Sequence, residues 1–194
     1  QLFRLRDFLL GEEANGGSFY PDVNRDGTKI VFESKATNIH TTGDDPVGGR
    51  QIFLWDRTVG TNGSVRVVSN GNGQSQKPSI NHDGNLVVFA SDATDLVAGG
   101  DTNNLRDIFL FDADNNQTTL LSKNFLDQQT IGGASDQPEI SGDGEYVVFR
   151  SSATNMIQSA GISKIIITKG GAGYFGNPTI TITDSGGGGQ GANL

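Results

Sequence analysis

One tract occurs three times along this chain, at Ser18–Ser34, Ser75–Ser91 and Ser135–Ser151. The copies read SFYPDVNRDGTKIVFES, SQKPSINHDGNLVVFAS and SDQPEISGDGEYVVFRS. Their prolines, Pro21, Pro78 and Pro138, lie 57 and 60 residues apart, and the Asp-Gly pairs keep the same offsets. A period of this size marks a repeat architecture, in which each unit buries its faces only against its neighbours.

Each unit reads as four strands. The first follows the proline, at Asp22–Asn24, Ser79–Asn81 and Glu139–Ser141. An Asp-Gly turn then reverses the chain, a strong hairpin signal between apolar runs. The second strand is Lys29–Ser34, Leu86–Ser91 or Tyr146–Ser151, with consecutive apolar residues such as Val87-Val88-Phe89. Consecutive rather than alternating apolar residues require cover on both sheet faces. The third strand is Gln51–Asp56 or Asp107–Asp112, and the fourth is Val65–Ser69 or Thr118–Ser122. The third copy stops matching after Met156. Four-stranded units buried on both faces and arranged in series are the sequence form of a β-propeller. A β-sandwich with internal duplication is the competing arrangement, but it does not need a strict period. The expected fold is therefore all-β, with about three propeller-type blades in residues 1–157. Residues 158–194 form a glycine-rich hairpin module or complete the last blade.

The 194 residues carry 22 acidic and 14 basic side chains, a net charge of −8. A surface of that sign repels phosphate backbones and argues against nucleic acid as a partner. Cysteine is absent, which excludes disulfides and thiolate metal sites. No run approaches the 18 apolar residues of a spanning helix. The chain starts at Gln1, and Gln1–Leu10 lacks the pattern of a signal peptide, as expected of a processed protein or a segment of a longer one.

The Pro-x-Ile-Ser-x-Asp-Gly-x-x-Val-Val-Phe-x-Ser pattern resembles the TolB-like, or PD40, β-propeller repeat. The Ser-x-Ala-Thr-Asn/Asp-Leu tract that follows (Ser34–Ile39, Ser91–Leu96, Ser151–Met156) resembles the secreted bacterial variants of that repeat. So does Gly-Asp-Thr-Asn…Asp-Ile-Phe-Leu-Phe-Asp at Gly100–Asp112. The resemblance spans roughly residues 2–157. It implies a propeller outside the cytoplasm that serves as a recognition or scaffolding surface, at the cell surface, in the periplasm or on a virion. Members differ in partners, so the family does not supply a function by itself. The tail from Ile162 to Thr183 resembles a Gly-Gly-x-Gly-Tyr…Pro-Thr-x-Thr-Ile repeat of phage tail proteins and large bacterial surface proteins. Physically it is a hairpin, Lys164–Thr168 with Pro178–Thr183.

Signals for chemistry are sparse. The two histidines are His40 and His82, and His82 fills the turn slot taken by Arg25 and Gly142 in the sister copies. No Gly-x-Ser-x-Gly elbow, His-Glu-x-x-His pair or phosphate loop is present. The chain is therefore expected to be non-catalytic and to need no cofactor. Asp22-x-Asn24-x-Asp26-Gly27-x5-Glu33 has the spacing of an EF-hand calcium loop. The sister copies lose that pattern, and Glu33 is expected on a strand pointing away from Asp22, so the spacing reads as coincidence. The links between strands two and three, His40–Arg50 and Val97–Asp107, are long and acidic. They suit calcium held by Asp101, Asn103 and Asp107, or by Asp44 and Asp45. They suit equally well Asp/Asn/Gly turns closed by side-chain-to-backbone hydrogen bonds.

These features predict a structural or adhesive protein that works through other protein chains, as a homo-oligomer or as part of a longer chain. A phage tail component and the propeller domain of a larger secreted hydrolase are the alternatives. Leu2–Leu10 reads as the outer strand of a blade, with Leu2, Phe3, Leu5 and Phe8 available for pairing with a neighbouring chain.

Overall fold

The structure, a computed structural model, describes residues 13–39, 49–61, 63–124 and 126–156. Contacts divide the chain into two compact units, Gln1–Ile157 and Gln158–Leu194, and every described residue belongs to the first. The described residues contain no helix. Their strands, in chain order, are β1 (Ser18–Val23), β2 (Lys29–Ser34), β3 (Gln51–Asp56), β4 (Ser64–Val67), β5 (Ser75–Ile80), β6 (Leu86–Ser91), β7 (Asp107–Asp112), β8 (Gln117–Leu120), β9 (Ser135–Ile140) and β10 (Val147–Ser151). They form two antiparallel four-stranded sheets, β1-β2-β3-β4 and β5-β6-β7-β8, and a two-stranded sheet, β9-β10. The four-stranded sheets are propeller-type blades, strand for strand as the repeat implies.

Periodicity sets which residues meet. Val31, Ile52 and Leu54 of the first blade share one apolar cluster with Val87, Phe89, Phe109, Phe111 and Leu120 of the second. Phe32, Phe53, Trp55 and Val65 form a second cluster on the opposite face of the first blade. Neighbouring residues on one strand thus serve two cores, which is why the apolar runs are consecutive. In-register Phe pairs stack in both blades, Phe32 on Phe53 at 5.7 Å and Phe89 on Phe109 at 5.9 Å between centroids. Such pairs contribute about 0.5–1.5 kcal/mol beyond their buried area.

The first strand of each unit begins earlier than its sequence suggests. Pro21, Pro78 and Pro138 lie inside β1, β5 and β9, not before them. The residue preceding each proline, Tyr20, Lys77 or Gln137, has a positive φ of 50°, 53° or 56°. The pairing register shifts at that place in all three hairpins. Proline cannot donate to the ladder, and a bulge on a terminal strand is where a sheet accommodates it. The repeated proline is therefore the mark of a bulge rather than of a strand start.

The Asp-Gly pair also acts within a longer turn. Gly27, Gly84 and Gly144 donate their N–H to the carbonyls of Asn24, Asn81 and Ser141 at 3.1, 3.1 and 2.9 Å. Each is the fourth turn residue, with φ between 70° and 77°, a conformation that favours glycine. Successive turns are tied together: Arg25 N–H donates to His82 O, and His82 N–H donates to Gly142 O. The His82 ring lies so close to Gly142 that a Cβ there would collide with it.

The Ser-x-Ala-Thr-Asn/Asp tract proves to be a recurrent clasp. Ser18, Ser75 and Ser135 donate their hydroxyls to Ser34, Ser91 and Ser151. Those acceptors in turn receive the N–H of Ala36, Ala93 and Ala153. Asn38, Asp95 and Asn155 accept the N–H of Asn15, Asn72 and Ile131, anchoring the approach to each hairpin.

Candidate functional site

The link between β6 and β7 folds against the segment that follows β8. Asp101 Oδ1 accepts the Asn103 N–H at 2.9 Å, and Asn103 Oδ1 accepts the Leu105 N–H at 2.6 Å. The Asn103 amide donates to Asp107 Oδ2 and to Thr130 O, both at 3.0 Å. Ser122 Oγ donates to Asp107 Oδ1 at 2.5 Å and accepts from Ile108 N–H. Gln129 completes the tie, accepting from Thr102 N–H and Oγ1 and donating to Gly100 O. Asp101, Asn103 and Asp107 are thus brought together, in a network of turns.

That network has two open valences. Asp101 is 9% exposed and Thr130 is fully buried. Asp101 Oδ2 and the Thr130 hydroxyl are both buried without a hydrogen-bond partner. Burial pushes the Asp107 carboxyl above the usual carboxylate range, and the Asp101 charge adds to the rise. Ser122, Asn103 and the nearby Thr130 hydroxyl act against it, although Thr130 does not reach hydrogen-bonding geometry. Among the described residues no three His, Cys, Asp or Glu side chains gather as a metal cluster.

The first blade handles the same place differently. Gln51 pairs with Ser34 as Asp107 pairs with Ser91. Gln51 Oε1 accepts from Ser69 Oγ at 2.8 Å, and its amide nitrogen donates to Gly73 O at 3.0 Å and Gly71 O at 3.4 Å. A neutral amide there bridges to loop carbonyls, whereas a carboxylate can only accept.

A second feature is the face of β9–β10 directed away from the second blade. At each earlier junction the equivalent face is covered. Asp22 Oδ2 accepts Ile80 N–H at 2.9 Å, and Ser79 Oγ accepts Ile140 N–H at 3.4 Å. Glu139 holds the corresponding place in β9, opposite Val148. Val31 and Val88 are 0% exposed, but Val148 is 65% and Tyr146 68% exposed. The charges at the second junction converge on Asp136, with Lys77 Nζ at 3.0 Å and Arg106 and Arg150 at 3.8 and 3.9 Å. Burial alone would raise the Asp136 carboxyl. The Lys77 bond, the Gln137 N–H and the charges of Lys77 and Arg106 outweigh this and hold it below the usual range.

The EF-hand-like spacing is consumed by packing. Asp22 and Glu33 do not point apart as expected, since both reach β5. Glu33, 0% exposed, accepts the Lys77 N–H at 2.9 Å and the Arg50 guanidinium at 2.7 Å, while Asp22 receives Ile80. Asp26 closes its own turn through Thr28 N–H and Oγ1. His82 is an exposed turn residue, as its position in the repeat implied. Asp44, Asp45, His40, the Leu2–Leu10 segment with Leu2, Phe3, Leu5 and Phe8, and the hairpin from Lys164 to Thr183 lie outside the described residues. Sequence reasoning missed Ser122, Thr130 and Gln129. The contrast of Gln51 with Asp107 at one repeat position marks the place as different, but it does not name the residues that meet it.

No family model matches the chain, and no curated protein matches it. Among solved structures, TolB from Acinetobacter baumannii is similar at 17% identity with a TM-score of 0.39. The match covers 72% of this chain and 27% of that one, so the chain spans about a quarter of that structure's length.

Proposed function

We propose that this chain is a non-catalytic assembly scaffold acting outside the cytoplasm, and that the open face of β9–β10 is where a further copy of the chain docks. The observation that carries this reading is the exposure of Val148 at a repeat position where Val31 and Val88 are sealed. The two internal junctions supply the template. In each, a strand N–H of the following unit reaches an acceptor on the preceding first strand, and Glu139 offers the next acceptor in the series. The counterpart surface is on β1, where Tyr20 and Val23 are 56% and 53% exposed. Exposed apolar side chains grouped on a sheet face favour association. Docking of β1 on β9–β10 is head-to-tail, so it builds rings or filaments rather than two-fold dimers. An acidic chain without cysteine is compatible with such a role at the cell exterior.

The test is the mass of the full chain in solution across a hundredfold range of concentration. Assembly that grows with concentration and is lost in Val148→Asp is the expected result. A monomer at every concentration overturns the docking. Deleting residues 1–10 in parallel separates this face from strand exchange through Leu2–Leu10, because only the latter is lost with the segment. For the non-catalytic part, turnover of a peptide, ester or glycoside that disappears on substituting a residue within 1–157 is the overturning result.

A further inference from the structure

We infer that Asp101, Asp107 and Thr130 form a calcium-binding site at the root of the β6–β7 link. The argument starts from the contrast between the two blades. At one repeat position the first blade has Gln51, whose amide nitrogen donates to the carbonyls of Gly71 and Gly73. The second blade has Asp107, a side chain one methylene shorter that has no hydrogen to give when ionised. In the second blade the Asn103 amide takes over the donation, to Thr130 O and Asp107 Oδ2, and two acceptors are left over beside the Asp107 carboxylate, Asp101 Oδ2 and the Thr130 hydroxyl.

Two of these acceptors have nothing to accept. Asp101 Oδ2 and Thr130 Oγ1 are buried and unpartnered, on side chains that are nine-tenths and completely buried. Leaving a carboxylate oxygen in that condition is expensive. A cation removes the cost, because it binds both carboxylates and the hydroxyl oxygen at once. Asp107 already accepts one donor at each oxygen, Ser122 at Oδ1 and Asn103 at Oδ2, and offers its remaining lone pairs. Asp101 commits only Oδ1 to its turn, and Thr130 commits only its carbonyl. The donor set is oxygen throughout, which suits a hard ion, and calcium accepts the irregular, partly hydrated coordination that such a loop provides. Two carboxylates are few for calcium, which places the affinity with extracellular modules, at a Kd of about 10⁻⁴–10⁻³ M.

The experiment uses the full chain stripped with a chelator, titrated calorimetrically with calcium chloride and followed by thermal unfolding at constant ionic strength. Saturable binding in that range and a Tm that climbs with calcium are expected. Asp101→Asn and Thr130→Val should each weaken this site at least about tenfold, or about 1.4 kcal/mol. Asp107→Gln rebuilds the arrangement of the first blade. It should abolish binding while keeping Tm in chelator at or above that of the wild type, an outcome that simple damage to the fold does not produce. Asp26→Ala, in the EF-hand-like stretch, should bind as the wild type does. The inference falls if the wild type shows no saturable heat. It also falls if Asp101→Asn binds unchanged or if Asp26→Ala is the variant that loses the ion.

Discussion

The hairpins β5–β6 and β9–β10 share the repeat pattern, the bulge and the turn, yet they sit in different environments. Val88 and Ala90 are completely buried, whereas Val148 is 65% exposed and the Arg150 side chain 72% exposed. The backbone devices are alike in both: the serine clasp, the positive φ before proline and the glycine closing the turn. Local sequence therefore builds the hairpin, and what packs on it decides whether its face is core or surface. Arg150, at the position of Ala90 and Glu33, lies 3.9 Å from Asp136.

The strongest way to break this comparison is to place a charge at equivalent positions. Val88→Asp buries an unpaired carboxylate against the third sheet and should cost several kcal/mol, a large part of an ordinary stability of about 5–15 kcal/mol. Val148→Asp should stay within about 0.5 kcal/mol under conditions where the chain is monomeric. Urea unfolding of both variants checks this, and equal losses would mean that the two faces are equally buried.

Truncating the paired phenylalanines sharpens the contrast. Phe89→Ala removes a buried ring stacked on Phe109 and should cost about 3–5 kcal/mol. Phe149 is only half-buried, and Phe149→Ala should cost about half as much or less. Similar midpoints of chemical denaturation for the two would contradict the difference in packing.

The next effect in size belongs to the junction between the first and second blades. Glu33→Ala strands the Lys77 N–H and leaves Arg50 with water as its partner. Arg50 keeps a quarter of its side chain exposed, so the loss should come mainly from the unmade backbone bond, about 1–3 kcal/mol. Amide exchange at Lys77 reports it directly, and unchanged protection there would show that Glu33 does not hold the junction.

The smallest effects are pH-dependent and opposite in sign. Asp136 has its folded pKa lowered, so the stability it supplies is present above the unfolded carboxylate range and lost as pH falls through the folded value. Asp107 has its folded pKa raised, so in calcium-free solution stability falls as pH rises from the unfolded value through the folded one. Asp136→Asn should therefore reduce the rise of Tm with pH in the acid range, and Asp107→Asn should increase it. Scanning calorimetry between pH 3 and 7 in chelator distinguishes the slopes, and changes from the wild-type slope in the same direction would undo the assignment.

Much of the fold was legible because it rests on repetition. The strands β2, β3, β6 and β7 have the bounds expected from the apolar runs that announce them. The first strands were placed too late because proline reads as a strand boundary, while a bulge that tolerates it leaves no local signature beyond its recurrence. The acidic link was legible as a cluster, Asp101, Asn103 and Asp107. Thr130 was not, since its segment meets the link only after β8 turns the chain back.

The sequence alone thus determined an all-β chain of about three repeated units, with turns at fixed places, of which the described residues complete two as four-stranded sheets. These depend on interactions between residues close in the chain and on side-chain periodicity. Only the tertiary structure decided that Glu33 and Asp22 both reach the next blade. It alone left Asp101 and Thr130 with buried oxygens to satisfy and Val148 facing outward. Each of those outcomes depends on which backbone arrives from a distant part of the chain, and no local pattern encodes a partner that far away.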